Sequence, residues 1–134
     1  MEALIIKAED FTPSIILNPN KNKFEIAGKS RPENVKDFYE PVINWFDKNT
    51  SSLVENFKDF YNDSNPFKFD FKLVYFNSST SKMLYDILKK IKNIQNQGIS
   101  VQINWYYNEE DEEILESGDE LSKAVNIPFN YIEI

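Results

Sequence analysis

Cysteine and histidine are both absent from this chain of 134 residues. Without cysteine there is no disulfide, no thiol nucleophile and no thiolate zinc site. Without histidine the commonest general base near neutral pH is missing, and with it His-based triads and His metal sites. Only three glycines occur, at 28, 98 and 118, too few and too scattered for a phosphate-cradling loop. Positive charge is scarce: 15 Lys and Arg stand against 22 Asp and Glu, giving a formal net charge of −7. Nucleic acid needs a basic footprint, so it is not an expected partner. Anionic lipid headgroups repel such a surface as well. No apolar run approaches the roughly 18 residues of a membrane span. The opening Met1-Glu2-Ala3-Leu4 lacks the basic stretch and following apolar run of a signal peptide. These absences predict a soluble cytoplasmic protein with no membrane segment, no metal and no cofactor.

What is present suffices for one packed core. Hydrophobic residues make up 41% and aromatics 15%, which excludes disorder and predicts a single domain over residues 1–134. The N-terminal third reads as extended: Leu4-Ile5-Ile6, then Ser14-Ile15-Ile16-Leu17, a turn-forming Asn18-Pro19-Asn20-Lys21-Asn22, and an alternating Lys23-Phe24-Glu25-Ile26-Ala27 that completes a hairpin. Ser30-Arg31-Pro32-Glu33 has the form of a helix start with Ser30 as cap. A helical stripe then runs through Val35, Phe38, Tyr39, Val42, Ile43 and Phe46. Pro41 is expected to kink or split it, and Asn49-Thr50-Ser51-Ser52 to interrupt it, before a second piece ends near Asn62.

Residues 67–76 alternate, with Phe67, Phe69, Phe71, Leu73 and Tyr75 on one face. From Lys82 to Gln97 the period becomes helical, and Gly98 suits a left-handed C-cap. Residues 100–107 alternate again. Strand, helix, strand predicts a parallel βαβ unit with a right-handed crossover. Both strands carry polar residues at alternate positions, so the second face of the sheet is at least partly wet. The fold class is therefore α/β: a two-layer sandwich, a mixed sheet with an N-terminal hairpin and a parallel βαβ unit, helices mainly on one face. A helix over 111–123, broken near Gly118, and a strand over 129–134 complete it.

Few constellations suggest chemistry. Asn108-Glu109-Glu110-Asp111-Glu112-Glu113 offers carboxylates to a hard cation, but it lacks the calcium-loop pattern and reads as a solvated helix start. Nothing in the spacing pairs Glu33, Asp70 or Asp111 for hydrolysis, so the chain is not expected to be an enzyme. Trp45 and Trp105 read as core. The most informative stretch is Tyr75-Phe76-Asn77-Ser78-Ser79-Thr80-Ser81-Lys82, where a strand passes into a helix through four hydroxyl residues. Such hydroxyls either cap the helix or accept a phosphate, which adds roughly −1.5 to −2 charges at a helix end that favours anions.

Several segments together resemble one family. They are Thr12-Pro13-Ser14-Ile15, Ile26-Ala27-Gly28-Lys29-Ser30-Arg31-Pro32-Glu33-Asn34, Phe38-Tyr39-Glu40-Pro41-Val42 with Trp45, the 69–82 stretch, Trp105-Tyr106-Tyr107 with its acidic run, Glu116-Ser117-Gly118-Asp119, and Pro128-Phe129. In this order they resemble the SiaC family of bacterial regulatory phosphoproteins, over nearly the whole chain. The resemblance implies a fold similar to STAS-type anti-sigma-factor antagonists and a partner-switching role in biofilm and c-di-GMP signalling. It implies three partners: a cognate Ser/Thr protein kinase, a metal-dependent phosphatase and a diguanylate cyclase bound by the unphosphorylated form. The family's acceptor is a Thr directly after the Asn, which places the role on Ser78, with Ser79 and Thr80 as alternatives. It also implies partner contacts by Asn77, Ser79, Thr80, Ser81 and Lys82. The stretch between Trp45 and Phe67 is longer than the family pattern. The competing reading is an interaction module with no switch, in which the hydroxyls are caps only.

Overall fold

The computed structural model describes residues 1–134. Its strands are β1 (Leu4–Ile6), β2 (Ser14–Asn18), β3 (Lys23–Ser30), β4 (Phe67–Phe76), β5 (Val101–Tyr107) and β6 (Phe129–Glu133). Its helices are α1 (Val35–Phe57), α2 (Ser78–Asn96) and α3 (Glu112–Val125), with one 3₁₀ turn at Pro19–Lys21. The six strands form one sheet in chain order. β1, β2 and β3 pair antiparallel; β3, β4, β5 and β6 pair parallel. This is the α/β class, the hairpin and the parallel unit expected from the sequence.

Each parallel step crosses through one helix and moves to the next strand in the same direction. Right-handed crossovers then place all three helices on one face. α1, α2 and α3 pack side by side there, over Ile15, Leu17, Phe24, Ile26, Phe67, Phe69, Phe71, Leu73, Ile103, Trp105 and Phe129. On the helix side, Leu84, Ile87, Leu88, Ile91 and Ile94 supply the buried stripe of α2.

The other face is polar and partly wet: Glu25, Asp70 and Gln102 are half-buried and Asn104 is buried. Glu25, Asp70, Asn104 and Asn130 stand in register across four strands. Asn104 Nδ2 donates to Asp70 at 2.8 Å, and Gln102 and Asn130 donate to Asn104 Oδ1 at 2.9 and 3.1 Å. Lys72 and Lys23 pair with Glu25 at 2.9 and 3.3 Å. Burial alone raises the Glu25 pKa, but these two lysines outweigh it and the net shift is downward.

Apart from the start of α2, four details differ from the sequence expectations. α1 is one unbroken helix of 23 residues. Pro41 and Asp37 both lie exposed, so the Asp37 carbonyl that Pro41 leaves without a donor is open to water. The polar run at 49–52 stays helical because its side chains bond back one turn: Asn49 to the Trp45 carbonyl at 2.9 Å, Thr50 to the Phe46 carbonyl at 2.5 Å. The helix gives way to a turn after Phe57, and Tyr61 is buried in the following loop rather than in a second helix.

Ser30 does not cap α1. It ends β3, and Asn34 caps α1 by accepting from the Asp37 amide at 3.1 Å. α3 is also unbroken; Gly118 is buried inside it, against Trp105. The acidic run supplies its cap and first turn: Asp111 accepts from the Ile114 amide at 3.0 Å, and Glu112 and Glu113 follow.

The fourth difference is on β4. Gly28 pairs with Leu73 and Lys29 with Tyr75, so Val74 is an extra residue with no partner on β3. One inserted residue flips the faces beyond it. Tyr75, expected inside, is 46% exposed, and Phe76 turns inward to meet Trp105 edge-on at 6.0 Å. Gly28 accommodates the irregularity with φ +113°, where a side chain is strained.

Candidate functional site

In open α/β sheets a ligand crevice forms where the strand order reverses and helices change faces. The order here never reverses, so no such crevice exists. Nor do three or more carboxylates converge so as to hold a cation. The exposed groups with chemical potential lie at the C-terminal end of β4, where the bulge re-aims the chain into α2.

Asn77 is the cap of α2. Its backbone is extended and its side chain accepts from the Thr80 amide at 2.9 Å. The helix therefore starts at Ser78, four residues before the expected Lys82, and the hydroxyl residues occupy its first turn rather than capping it. Ser78 and Ser79 are exposed, Ser81 is half-buried, and Lys82 is exposed with a loose pair to Asp86 at 3.8 Å. Thr80 is fully buried. Of the three candidate acceptors, only Ser78 and Ser79 present their hydroxyls to an enzyme.

The capping assignment yields a direct test. Asn77→Ala is expected to cost about 1 kcal/mol, as lost caps do. Ser78→Ala is expected to change stability by no more than a few tenths, because alanine is the better helix former and no cap is lost. Urea unfolding of the two variants checks the order; a larger loss for Ser78→Ala would return the cap to the serine.

Thr80 belongs to a buried cluster that joins three of the segments singled out in the sequence. Ser30 Oγ lies 2.6 Å from Tyr39 Oη and 2.9 Å from Thr80 Oγ1, and Thr80 Oγ1 donates to the Ser30 carbonyl at 3.2 Å. Tyr39 donating to Ser30, Ser30 to Thr80 and Thr80 to the carbonyl leaves no hydroxyl proton idle. Burial pushes the Tyr39 phenol up to about 12, despite the bonds from Ser30 and Thr80. The cluster ties the first turn of α2 to the end of β3 and to α1. Ser30 and Tyr39 were not expected here: Ser30 fits a cap pattern and Tyr39 an ordinary core stripe, and only their tertiary meeting shows the role.

This is an α/β domain with all helices on one side, an open polar sheet face and an exposed hydroxyl turn at the start of its central helix. Residues 6–134 match the SiaC family regulatory phosphoproteins, and the chain belongs to that family. An uncharacterized protein of Pseudomonas aeruginosa (strain UCBPP-PA14) is 28% identical over 129 residues, which cover 96% of this chain and 94% of the relative. Two solved structures share the fold at 24% identity. Apo-SiaC of P. aeruginosa has a TM-score of 0.79, and SiaC bound as activator to the diguanylate cyclase SiaD, from the same organism, has 0.81; each comparison covers 98% of this chain and 99% of the other.

Proposed function

We propose that this protein is a non-catalytic cytoplasmic signalling domain switched by reversible phosphorylation of Ser78, with Ser79 as the second candidate. A cognate Ser/Thr protein kinase adds the phosphate and a metal-dependent phosphatase removes it. The unphosphorylated form binds and regulates a partner, by kinship with the SiaC–SiaD pair a diguanylate cyclase. The observation that carries this reading is the exposed Ser78 at the first position of α2, directly after the cap Asn77.

The physical chemistry is consistent with a switch. A dianion at the first turn of a helix meets the positive end of its dipole, so the domain tolerates the phosphate and stays folded. A partner seated over the turn must instead bury that charge or lose its water, which is costly when no cation answers it.

Phosphopeptide mapping after reaction with the cognate kinase tests the proposal. Phosphate is expected on Ser78, and Ser78→Ala is expected to resist it and remain in the partner-binding form. Ser78→Asp is expected to weaken binding less than phosphate does, since one carboxylate has less charge and fewer acceptor oxygens. Phosphate on Ser79 alone would move the switch by one residue. Its absence from the whole 77–81 turn would leave an interaction module without a switch.

A further inference from the structure

We propose that β6 is a self-pairing edge: two copies of this chain join through it, antiparallel about a two-fold axis at Tyr131, and their two sheets become one. The sheet has two edges, β1 and β6. An edge strand carries a row of unpaired N–H and C=O groups, and soluble proteins blunt it with shortness, lysine, proline or a bulge. β1 is blunted by its length of three residues. β6 has five, Phe129-Asn130-Tyr131-Ile132-Glu133, with no lysine, proline or glycine among them. Its register with β5 runs without a bulge, and Glu133 is its one charge.

Which backbone groups face outward follows from alternation. The N–H and C=O of one strand residue point to the same side, and those of the next residue point to the other. The Ile134 N–H donates to the Tyr107 carbonyl at 2.9 Å. Asn130, Ile132 and Ile134 therefore address β5, while Phe129, Tyr131 and Glu133 point away from it. These three lie evenly about Tyr131. A two-fold axis there sets Tyr131 opposite its own copy and Phe129 opposite Glu133 of the second copy. Each such pair exchanges two N–H···O bonds, so every outward group of β6 is satisfied at once.

The side chains agree with this pairing. The axis stands perpendicular to the sheet, so both helix layers stay on one side. On the open face the half-buried Ile132 gains cover from Asn130 of the second copy. On the helix face the exposed Glu133 comes to the level of Phe129 of the second copy, where the last turn of α3 carries Lys123. Lys123 is 77% exposed, and its 2.9 Å pair with Asp119 is of the kind that exchanges readily for another carboxylate. Five residues a side fall short of a standard stable interface, so the association is expected at roughly 10 μM or weaker. β4, which leads into the Ser78 turn, lies two strands inward. Pairing at β6 therefore leaves both turns free and does not depend on the switch.

Sedimentation equilibrium of the full chain from about 5 to about 500 μM reads the association. The mean mass is expected to rise from 15.8 kDa toward twice that value. Glu133→Pro removes one outward N–H and keeps the bonds to β5, a change that edge strands tolerate, and is expected to weaken association about tenfold or more. The register has its own test, because the chain contains no cysteine. Asn130→Cys and Ile132→Cys each supply a sole thiol. The pairing sets position 130 opposite position 132 of the second copy at a Cα separation of about 4.5 Å, within disulfide reach. When the two variants are mixed under mild oxidation, the mixed disulfide dimer is expected to exceed either self-linked dimer about tenfold. A mass that stays at 15.8 kDa over the whole range overturns the proposal. So does association undiminished in Glu133→Pro, or mixed linkage at no more than its statistical share. Should circular dichroism show Glu133→Pro unfolded, the linkage ratio decides alone.

Discussion

Replacing Gly118 by valine is expected to remove about 3 kcal/mol or more of stability, at the upper end of what overpacking a core costs. A Cβ built on Gly118 lies 2.5 Å from Trp105 Nε1 and 2.7 Å from Cδ1 and Cε2. The indole cannot retreat. It is 1% exposed, with Phe71, Phe76 and Phe129 at 5.6, 6.0 and 5.8 Å between ring centres, and its N–H donates to the Ile114 carbonyl at 2.9 Å. Either α3 lifts off the sheet or the indole turns and leaves a buried donor unpaired, at about 1–3 kcal/mol. Gly118→Ala meets the same wall but regains about 1 kcal/mol of helix propensity. Its net loss is therefore smaller, about 1–2 kcal/mol. Urea unfolding measures both. An alanine variant as stable as the parent would show that α3 does not press on Trp105.

Ser30→Ala is expected to cost about 2 kcal/mol, although it deletes one oxygen. Ser30 is the hub of the buried cluster, and without its hydroxyl Tyr39 loses its 2.6 Å partner while fully buried. The sharper expectation is the double variant. Ser30→Ala/Tyr39→Phe removes the orphaned phenol and should recover part of the loss, because deleting both partners of a buried bond costs less than deleting one. If the two losses simply add, the pair is not coupled. Alkaline unfolding offers a second readout. Burial holds the Tyr39 phenol at about 12 against an ordinary 10. Folding thus disfavours the phenolate: this contribution is intact below pH 10 and is lost as pH rises from 10 toward 12. Tyr39→Phe should lack that part of the alkaline limb.

The sheet was legible because its signal is local. Phe67, Phe69 and Phe71 alternate with Lys68, Asp70 and Lys72, and the helical stripe of α2 followed by a second alternating run requires a parallel pair. The alternating polar positions also foretold the open face. What was not legible depends on atoms distant in the chain. Nothing near Asn49 and Thr50 says whether polar side chains will bend back to the helix or leave it. Gly118 reads as a helix breaker until Trp105 is placed against it. Val74 reads as an ordinary strand residue until the register with Gly28 shows it to be extra. At the candidate site the hydroxyl-rich turn between strand and helix was visible. Its cap was read as a hydroxyl and is Asn77, because Asn and Ser compete for that role and the winner is decided by where the strand ends.

The strand order has a consequence for how the chain reaches its native state. Every strand pairs with the one before and the one after it, and with no other. Each new strand therefore closes a loop no longer than one connection, and loop-closure entropy is what slows folding when contacts are remote. The sheet can grow from a single edge as the polypeptide leaves the ribosome. β1, β2 and β3 form a meander first, and each helix–strand unit then docks on the edge left by the last. β6 arrives at the end, and its Phe129 stacks on Trp105. A nascent chain halted before β6 would expose the edge of β5 and one side of that indole, so the final unit protects the intermediate from pairing with another copy.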